Sequence, residues 1–449
     1  MQKNRYILLI AALLFSIEGF SQNKNLVQVV VGNEGNFGSG NATLTNYEVE
    51  SGTSTDGVFL SANETGIGDV VQSMMWDNGQ IYVVVNNSQK IVILDDETFA
   101  QTGQITFPEG ASPREMVKVT NNKAYVTDLY ASLVYVVDLQ TKTVTETTIP
   151  AGMNADRIIK YEDYAYVGNY GYGADSTIFK IDISADAVVD TFEVSRGPAG
   201  MQIDTDGTLW VVCSGYAGDY DDNFNLIPGT SRPGGVHGIN LSTGEEVAFA
   251  ELESAGSDLA IDQTDNKLYL NTGGLRSYDI SSGTFSSDTL VKGSFYALGY
   301  EEVSDNFYLA DAKDYSSDGD VIVYNKSSAE ADTFKAGIIP GSFLFVYEDM
   351  LNTSSEELGG EVAGFELDQN YPNPFNPTTQ IQYSISQPGN VKLEVFNITG
   401  QKVAELVNET QTAGSKTVQF DAGALSSGIY IYRIITPSGS LSRKMTLIK

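Results

Sequence analysis

From about residue 27 to 345 the chain alternates short apolar runs with polar turns at a steady interval. Each unit opens with an apolar run, crosses a polar turn and then reads apolar–Tyr–apolar. A polar or Gly-rich loop follows, and a second apolar run closes on Asp, Asn or Tyr. Three consecutive copies are QSMMWDNGQIYVVVNNSQKIVILDDET, REMVKVTNNKAYVTDLYASLVYVVDLQTK and DRIIKYEDYAYVGNYGYGADSTIFKIDIS. The aromatic marker falls at Tyr82, Tyr125 and Tyr166, and again at Trp210, Tyr269 and Tyr308, with intervals of 43, 41, 44, 59 and 39. The long interval holds an insertion at roughly 216–234. A period near 40, made of β-branched and aromatic runs with tight turns, predicts four-stranded propeller blades. Asn-Gly and Asp-Gly at the first turns favour two-residue hairpins. No stretch has helical periodicity capped at both ends.

Six markers give six blades, and the ends supply a seventh. Residues 27–60 provide three strands without an inner one, and residues 337–345 (GIIPGSFLF) read as an inner strand with nothing after it. Pairing them closes the ring and removes open sheet edges. The predicted fold is all-β: a seven-bladed β-propeller over 26–348 with N- and C-terminal strand closure. A two-sheet sandwich array is the alternative.

After a polar linker at 349–364 the pattern changes. TTQIQYSIS, NVKLEVFNI, KVAELV, KTVQFD, GIYIYRIIT and SRKMTLIK alternate over short strands, predicting a small Ig-like β-sandwich at 365–449. Pro372, Pro374 and Pro377 cannot donate to a ladder, so that segment is an edge or lead-in. At the other end, Lys3 and Arg5 precede an apolar run from Tyr6 to Ile17, and Gly19 and Ser21 give a small-x-small pattern. This predicts a signal peptide over 1–21, too short to span a bilayer. No other stretch is long enough for a transmembrane helix.

Charge narrows the functions. The chain carries 58 acidic against 26 basic residues, a net −32. Seventeen basic and 51 acidic residues lie between 22 and 364, so the acidity belongs to the repeats. A nucleic-acid partner is excluded, since phosphates would be repelled. One Cys and one His exclude an intrachain disulfide and a Cys/His zinc site.

The repeats resemble the YncE-like, or surface-layer-type, seven-bladed propellers. The opening GNEGNFGSGNATLTNYEVESG is similar to the start of a secreted subfamily encoded near outer-membrane TonB-dependent transporters. That subfamily includes surface propellers that capture cobalamin. The resemblance implies a small-molecule ligand (a corrinoid, a porphyrin or a metal chelate) or an outer-membrane transporter as partner. The chain departs from the lipid-anchored examples in having no lipobox Cys. YPNPFNPTT, LEVFNITGQKV, FDAGALSSGIYIYR and the terminal KMTLIK resemble the type A C-terminal sorting domain of the type IX secretion system. This implies export through that machinery, removal of the domain, and a product released or attached at the cell surface.

Propeller loops joining the middle two strands share a face with the inter-blade loops. Phe37, Tyr130, Tyr170, Tyr172, Tyr216, Tyr220, Phe224 and Tyr315 all fall there. Aromatics on loops over a rigid scaffold make good contact surfaces, although each ring can equally pack under its neighbours. Asp219, Asp221 and Asn223 place oxygens at alternate positions, as a Ca2+ loop does. The Gly at the sixth position and the Glu at the twelfth are replaced by Phe224 and Thr230, so a solvated acidic loop is the competing reading. His237, the lone imidazole, is either a ligand donor or a hydrogen-bonded strand-edge residue. Cys213 reads as core. Arg114 and Arg157 occupy corresponding positions beside the axis, where they meet either an anionic ligand or the abundant carboxylates.

The residues favour a non-enzymatic binding protein, expected to be a monomer, with a structural or adhesive surface protein next. A propeller lactonase or lyase ranks last, since it needs an axial metal or acid/base His and only His237 is present. Deleting residues 440–449 is expected to retain the protein in the cell envelope; immunoblotting of fractionated cells and medium checks this, and normal release contradicts the sorting assignment.

Overall fold

The computed structural model describes residues 25–350 except 224 and 349, and 365–447 except 368–369, 371, 374, 386–387, 398–401, 424, 426–427 and 437–438. The expected signal peptide and nearly all of the expected linker lie outside the described residues.

Seven four-stranded antiparallel sheets are described between residues 26 and 347. Six are consecutive meanders, opened by the strands Val71–Asp77, Pro113–Thr120, Ala155–Tyr161, Pro198–Ile203, Asp258–Asp262 and Ala297–Glu301. The remaining sheet mixes the ends of the chain: Pro340–Tyr347 pairs with Leu26–Asn33, followed by Thr43–Glu48 and Thr53–Asp56. Val31 lies opposite Phe343 and Val29 opposite Phe345. The closing strand starts three residues later than 337, because Gly337 and Ile338 finish the preceding outer strand, Ala331–Ile338.

The aromatic markers explain the repeat. Tyr82, Tyr125, Tyr166, Trp210, Tyr269 and Tyr308 all lie on second strands and are buried. Successive strand residues point to opposite faces, so alternate side chains enter different cores. Ile81 and Val83 pack with Val30 and Leu44 of the mixed sheet, whereas Tyr82 and Val84 pack with Ala124, Val126 and Tyr135 of the following one. Both faces of each sheet are therefore covered, and the second strands are largely apolar. Seven such shared cores join each sheet to the next, the last joining Tyr308, Val321 and Phe334 to Val29 and Val31. The first strands adjoin in the same order around the ring. The architecture is all-β and propeller-like. One departure from the sequence pattern is a six-residue α-helix, Val58–Asn63, whose Phe59 is buried in the core between the mixed sheet and its successor.

The C-terminal unit has two sheets. Phe365–Leu367, Thr378–Ile385 and Gly414–Asp421 form one; Lys402–Gln411, Gly389–Asn397, Gly428–Thr436 and Gly439–Leu447 form the other. Ile381, Tyr383 and Phe420 from the first pack with Leu393, Val395, Tyr432 and Met445 from the second. Among the described residues no helix is long and apolar enough to cross a membrane.

Phe307 is fully buried between two sheets, its ring centroid 4.6 Å from those of Tyr269 and Tyr300. Phe307→Ala is expected to cost about 3–5 kcal/mol. Guanidinium unfolding measures this; a loss under about 1 kcal/mol would contradict the shared-core packing.

Candidate functional site

In an antiparallel meander, the loop from second to third strand lies at the same end as the start of the first strand. All seven sheets therefore present both features on one face of the ring. Five of the seven first strands also carry one extra residue there: the register slips at Val71/Ser73, Pro113/Met116, Ala155/Ile158, Pro198/Gly200 and opposite Gly32/Asn33. A bulge bends the strand and re-aims its side chains. Here it brings consecutive polar pairs, Gln72–Ser73, Arg114–Glu115 and Asp156–Arg157, to the axis.

These side chains form one network. Arg114 donates from Nε to Asp156 Oδ1 at 2.9 Å and from a terminal nitrogen to Oδ2 at 3.1 Å, and its other terminal nitrogen reaches Gln72. Arg157 donates from Nε to the Ala199 carbonyl at 2.9 Å and lies 3.8 Å from Asp258. Glu115 accepts the Ile158 amide at 2.9 Å, and Asp258 accepts the Leu259 amide at 3.0 Å. Glu34, at the end of the strand Leu26–Asn33, accepts the Tyr296 hydroxyl at 3.0 Å. Burial would raise the Asp156 carboxyl, but the Arg114 guanidinium more than offsets it and holds the group below the usual carboxylate range. Burial dominates at Glu34, Glu115 and Asp258 and pushes all three up, despite the neighbouring guanidiniums. A cavity of about 370 Å³ lies along the axis, lined by Gln72, Ser73, Glu115, Arg157, Asp258 and Ser342 and floored by apolar groups including Met74 and Phe345. Its volume falls within the range of small-ligand pockets.

The loop aromatics stand around this network. Phe37 is 77% exposed, Tyr130 67%, Tyr172 59% and Tyr315 54%. Tyr172 lies beside Tyr130 and within electrostatic reach of Arg114 and Asp156; burial first, then Tyr130, pushes its hydroxyl up to about 12. Tyr170 meets Tyr172 edge-on at 5.4 Å, and Tyr315 meets Tyr296 edge-on at 6.0 Å. The Asn36 side chain bonds the Tyr315 carbonyl at 2.7 Å, tying Phe37's loop to Tyr315's. Tyr172 and Tyr315 are both left-handed, with φ of 49° and 61°. That region is costly for bulky residues, by about 1–3 kcal/mol each.

Most loop carboxylates are committed to backbone. Buried Asp128 accepts the amides of Ser112, Tyr130 and Ala131, and Asp175 accepts those of Met153, Ser176 and Thr177. They brace the loops rather than face a ligand. The proposed Ca2+ loop behaves likewise. Asp219 accepts the Tyr216 hydroxyl at 2.6 Å, and Asp221 accepts amides from Asn223 and Asn225 and the Asn225 side chain. Among the described residues no three acidic, His or Cys side chains converge to hold a metal. Local turns thus engage the carboxylates of Asp219 and Asp221. Tyr220 stands on the outward hairpin made by the 216–232 insertion, and Tyr216 packs against Arg196. Phe224 lies outside the described residues.

His237 lies on the third strand of its sheet and is buried. Nε2 accepts the Ser195 amide at 2.9 Å, Nδ1 faces Glu246 at 2.5 Å, and the ring packs on Phe249. Both nitrogens are occupied, one by Ser195 in the loop before the sheet and the other by Glu246 of its outer strand, and the ring does not join the axial network. Cys213 is buried, which pushes its thiol up and away from reactivity. Sequence reading found Arg114 and Arg157 but missed Glu34, Gln72, Glu115, Asp156, Asp258 and Tyr296. Most stand ten to twelve residues before an aromatic marker, at the entry to a first strand, and that common offset was the available signal.

A family model described as "Domain of unknown function (DUF5074)" matches residues 29–331, more than half the chain. The chain belongs to that family. A second model, described as a secretion system C-terminal sorting domain, matches residues 369–449. This DUF5074 protein is therefore exported by type IX secretion, to the cell surface or into the medium, and meets the secretion machinery through that domain. No curated protein matches the sequence. Among solved structures, a quinonprotein alcohol dehydrogenase-like protein from Bacteroides thetaiotaomicron is similar at 16% identity and a TM-score of 0.53, over 72% of this chain and 78% of that one. The Neurospora crassa Pan2 WD40 domain is similar at 10% identity and a TM-score of 0.48, over 64% and 83%. At such identities the first likeness speaks for the propeller-like fold alone.

The raised Glu115 carboxyl gives a pH test. The folded state holds this proton more tightly than the unfolded one, so its contribution is fully present below the unfolded pKa and is lost as pH rises through the folded one. Glu115→Gln keeps an acceptor for Ile158 but cannot ionise. It is expected to match the parent near pH about 4 and to gain on it towards pH about 8. Urea unfolding at both pH values measures the difference; a pH-independent gap contradicts the burial penalty.

Proposed function

We propose that this protein is an exported seven-bladed β-propeller that captures a small ligand at the loop end of its ring. In this reading residues 1–21 are the signal peptide, 26–348 the propeller, 349–364 a linker and 365–449 an Ig-like sorting domain. The observation that carries the binding role is the pair of exposed rings, Tyr172 and Tyr315, held in left-handed backbone beside a mixed-charge axis. Gly or Asn would relieve that backbone, and an exposed ring gains little packing in return. A side chain kept at a conformational cost and left in solvent is best explained by what it touches when a ligand arrives.

Flat faces suit such a rim. A corrinoid, a porphyrin or a metal chelate would stack on the rings and set its polar edge over the axial groups. An outer-membrane transporter as receiving partner rests on resemblance alone. A structural or adhesive role is the second reading, supported by the acidic surface, which favours solubility. A lactonase or lyase has less support, because His237 is buried with both nitrogens engaged by Ser195 and Glu246.

Calorimetric titration of the purified chain with cobalamin and with haem tests the reading. Saturable binding is expected, weakened at least tenfold (about 1.4 kcal/mol) in Tyr130→Ala/Tyr172→Ala. Binding that ignores both tyrosines would remove the rim from the site, and no binding to either probe would favour the structural role.

A further inference from the structure

Arg157 stands in the axial cavity with most of its hydrogen-bonding capacity unused. Its Nε donates to the Ala199 carbonyl at 2.9 Å, and a terminal nitrogen lies 3.8 Å from Asp258, too far for a hydrogen bond. Neither terminal nitrogen has an acceptor among the described residues, and the side chain is 37% exposed. Gln202, on the neighbouring first strand Pro198–Ile203, adds an amide that no described residue hydrogen-bonds. Acceptors stand at the same place. Glu115 accepts the Ile158 amide through one oxygen only, and Asp258 accepts the Leu259 and Leu298 amides, one at each oxygen, with a second lone pair left on each. These four side chains line both the axial cavity of about 370 Å³ and a smaller one of about 170 Å³ beside it, and Met74 and Phe345 give the larger one an apolar floor. The rim is continuous with this cavity: Glu34 and Tyr296 lie against Gly341 on its wall, and Tyr296 meets Tyr315 edge-on.

Charge decides what such a place accepts. An ammonium group would meet the Arg157 guanidinium, which already faces Glu115 and Asp258. A carboxylate or phosphate would meet those two carboxylates and Asp156, all within reach of the same guanidinium. Burying either charge against its like is costly. A hydroxyl avoids both penalties, because it accepts from an N–H and donates to a carboxylate at once. Adjacent hydroxyls on one ring match donors and acceptors that stand side by side. The C–H face of such a ring suits the electron-rich faces of exposed Phe37, Tyr130, Tyr172 and Tyr315.

We propose that the axial cavity seats an uncharged pyranose sugar, whose hydroxyls accept hydrogen bonds from Arg157 and Gln202 and donate them to Glu115 and Asp258. The proposal rests on the loop end being the binding face and adds the chemical class of what enters it. The same ring is offered by a free monosaccharide and by the end of a glycan chain.

Calorimetric titration of the purified full chain tests this with glucose, galactose, mannose, maltose and cellobiose, and with glucuronate and glucosamine as anionic and cationic rings of the same size. At least one uncharged sugar is expected to bind, at least tenfold more tightly than glucuronate and glucosamine. A monosaccharide that binds as well as the disaccharides points to a free sugar; binding of a disaccharide alone points to a glycan end, with its second ring on the rim. Arg157→Lys keeps the charge but loses the planar fork, and is expected to weaken sugar binding at least tenfold. Gln202→Leu removes an amide that holds nothing in the unliganded protein, so it guards against a variant that misfolds, and it is expected to weaken binding severalfold. No binding of any uncharged sugar at millimolar concentration, equal or tighter binding of a charged ring, or sugar binding unchanged in Gln202→Leu overturns the proposal. Cobalamin or haem binding that needs Tyr130 and Tyr172, with no sugar bound, overturns it while leaving ligand capture intact. Sugar binding with neither cobalamin nor haem bound supports it and replaces the flat macrocycle as the ligand.

Discussion

The antiparallel pairing of Pro340–Tyr347 with Leu26–Asn33 is the constraint on which the rest depends. Each sheet is apolar on both faces and is stable only between two neighbours. An open row would leave two such faces in water. Joining the last strand to the first converts the row into a ring, and the seventh shared core, Tyr308 and Phe334 against Val29 and Val31, exists only because of that join. The same pairing fixes the site. It sets Gly341 against the Glu34 side chain and brings Glu34 to Tyr296, residues 262 apart in sequence.

The ring also explains why the chemistry sits on the axis. First strands are the innermost, and their entry ends crowd together. Bulges at those ends turn polar pairs inward, where burial makes charge expensive. Arg114 and Asp156 solve the problem by pairing. Glu34, Glu115 and Asp258 are less fully paired, and burial raises their carboxyls. Strain at Tyr172 and Tyr315 lies at the same end of the ring. Unfavourable electrostatics and unfavourable backbone tend to gather where a protein binds something, because stability there gives way to recognition.

Export places this site outside the inner membrane, and the sorting domain is built to a different rule. It has two sheets over one core, near-neutral charge and a Pro-rich lead-in whose Phe375 bridges to Leu447 beside the terminal strand. The acid-rich repeats meet the surroundings, whereas the C-terminal unit carries the information for getting there.

Periodic aromatic markers, paired turns and the bare inner strand at the end determined the sheets and the closure from sequence alone, because each depends on side-chain alternation over a few residues. The sorting domain was equally legible, since its motifs are local and ordered. The site was legible only in part. The loop aromatics could be named from their place in the repeat, but which rings meet depended on loops from different sheets touching. Asp128, Asp175 and Asp221 lie on the same loops, and only the fold shows their oxygens holding backbone amides. His237 could be read as a ligand donor or as a hydrogen-bonded strand residue, and only the fold brings Ser195 and Glu246, 42 and 9 residues away, to its two nitrogens. Charge balance along the axis joins residues 34, 115, 156 and 258 from four sheets, and only the closed ring brings them within reach of one another.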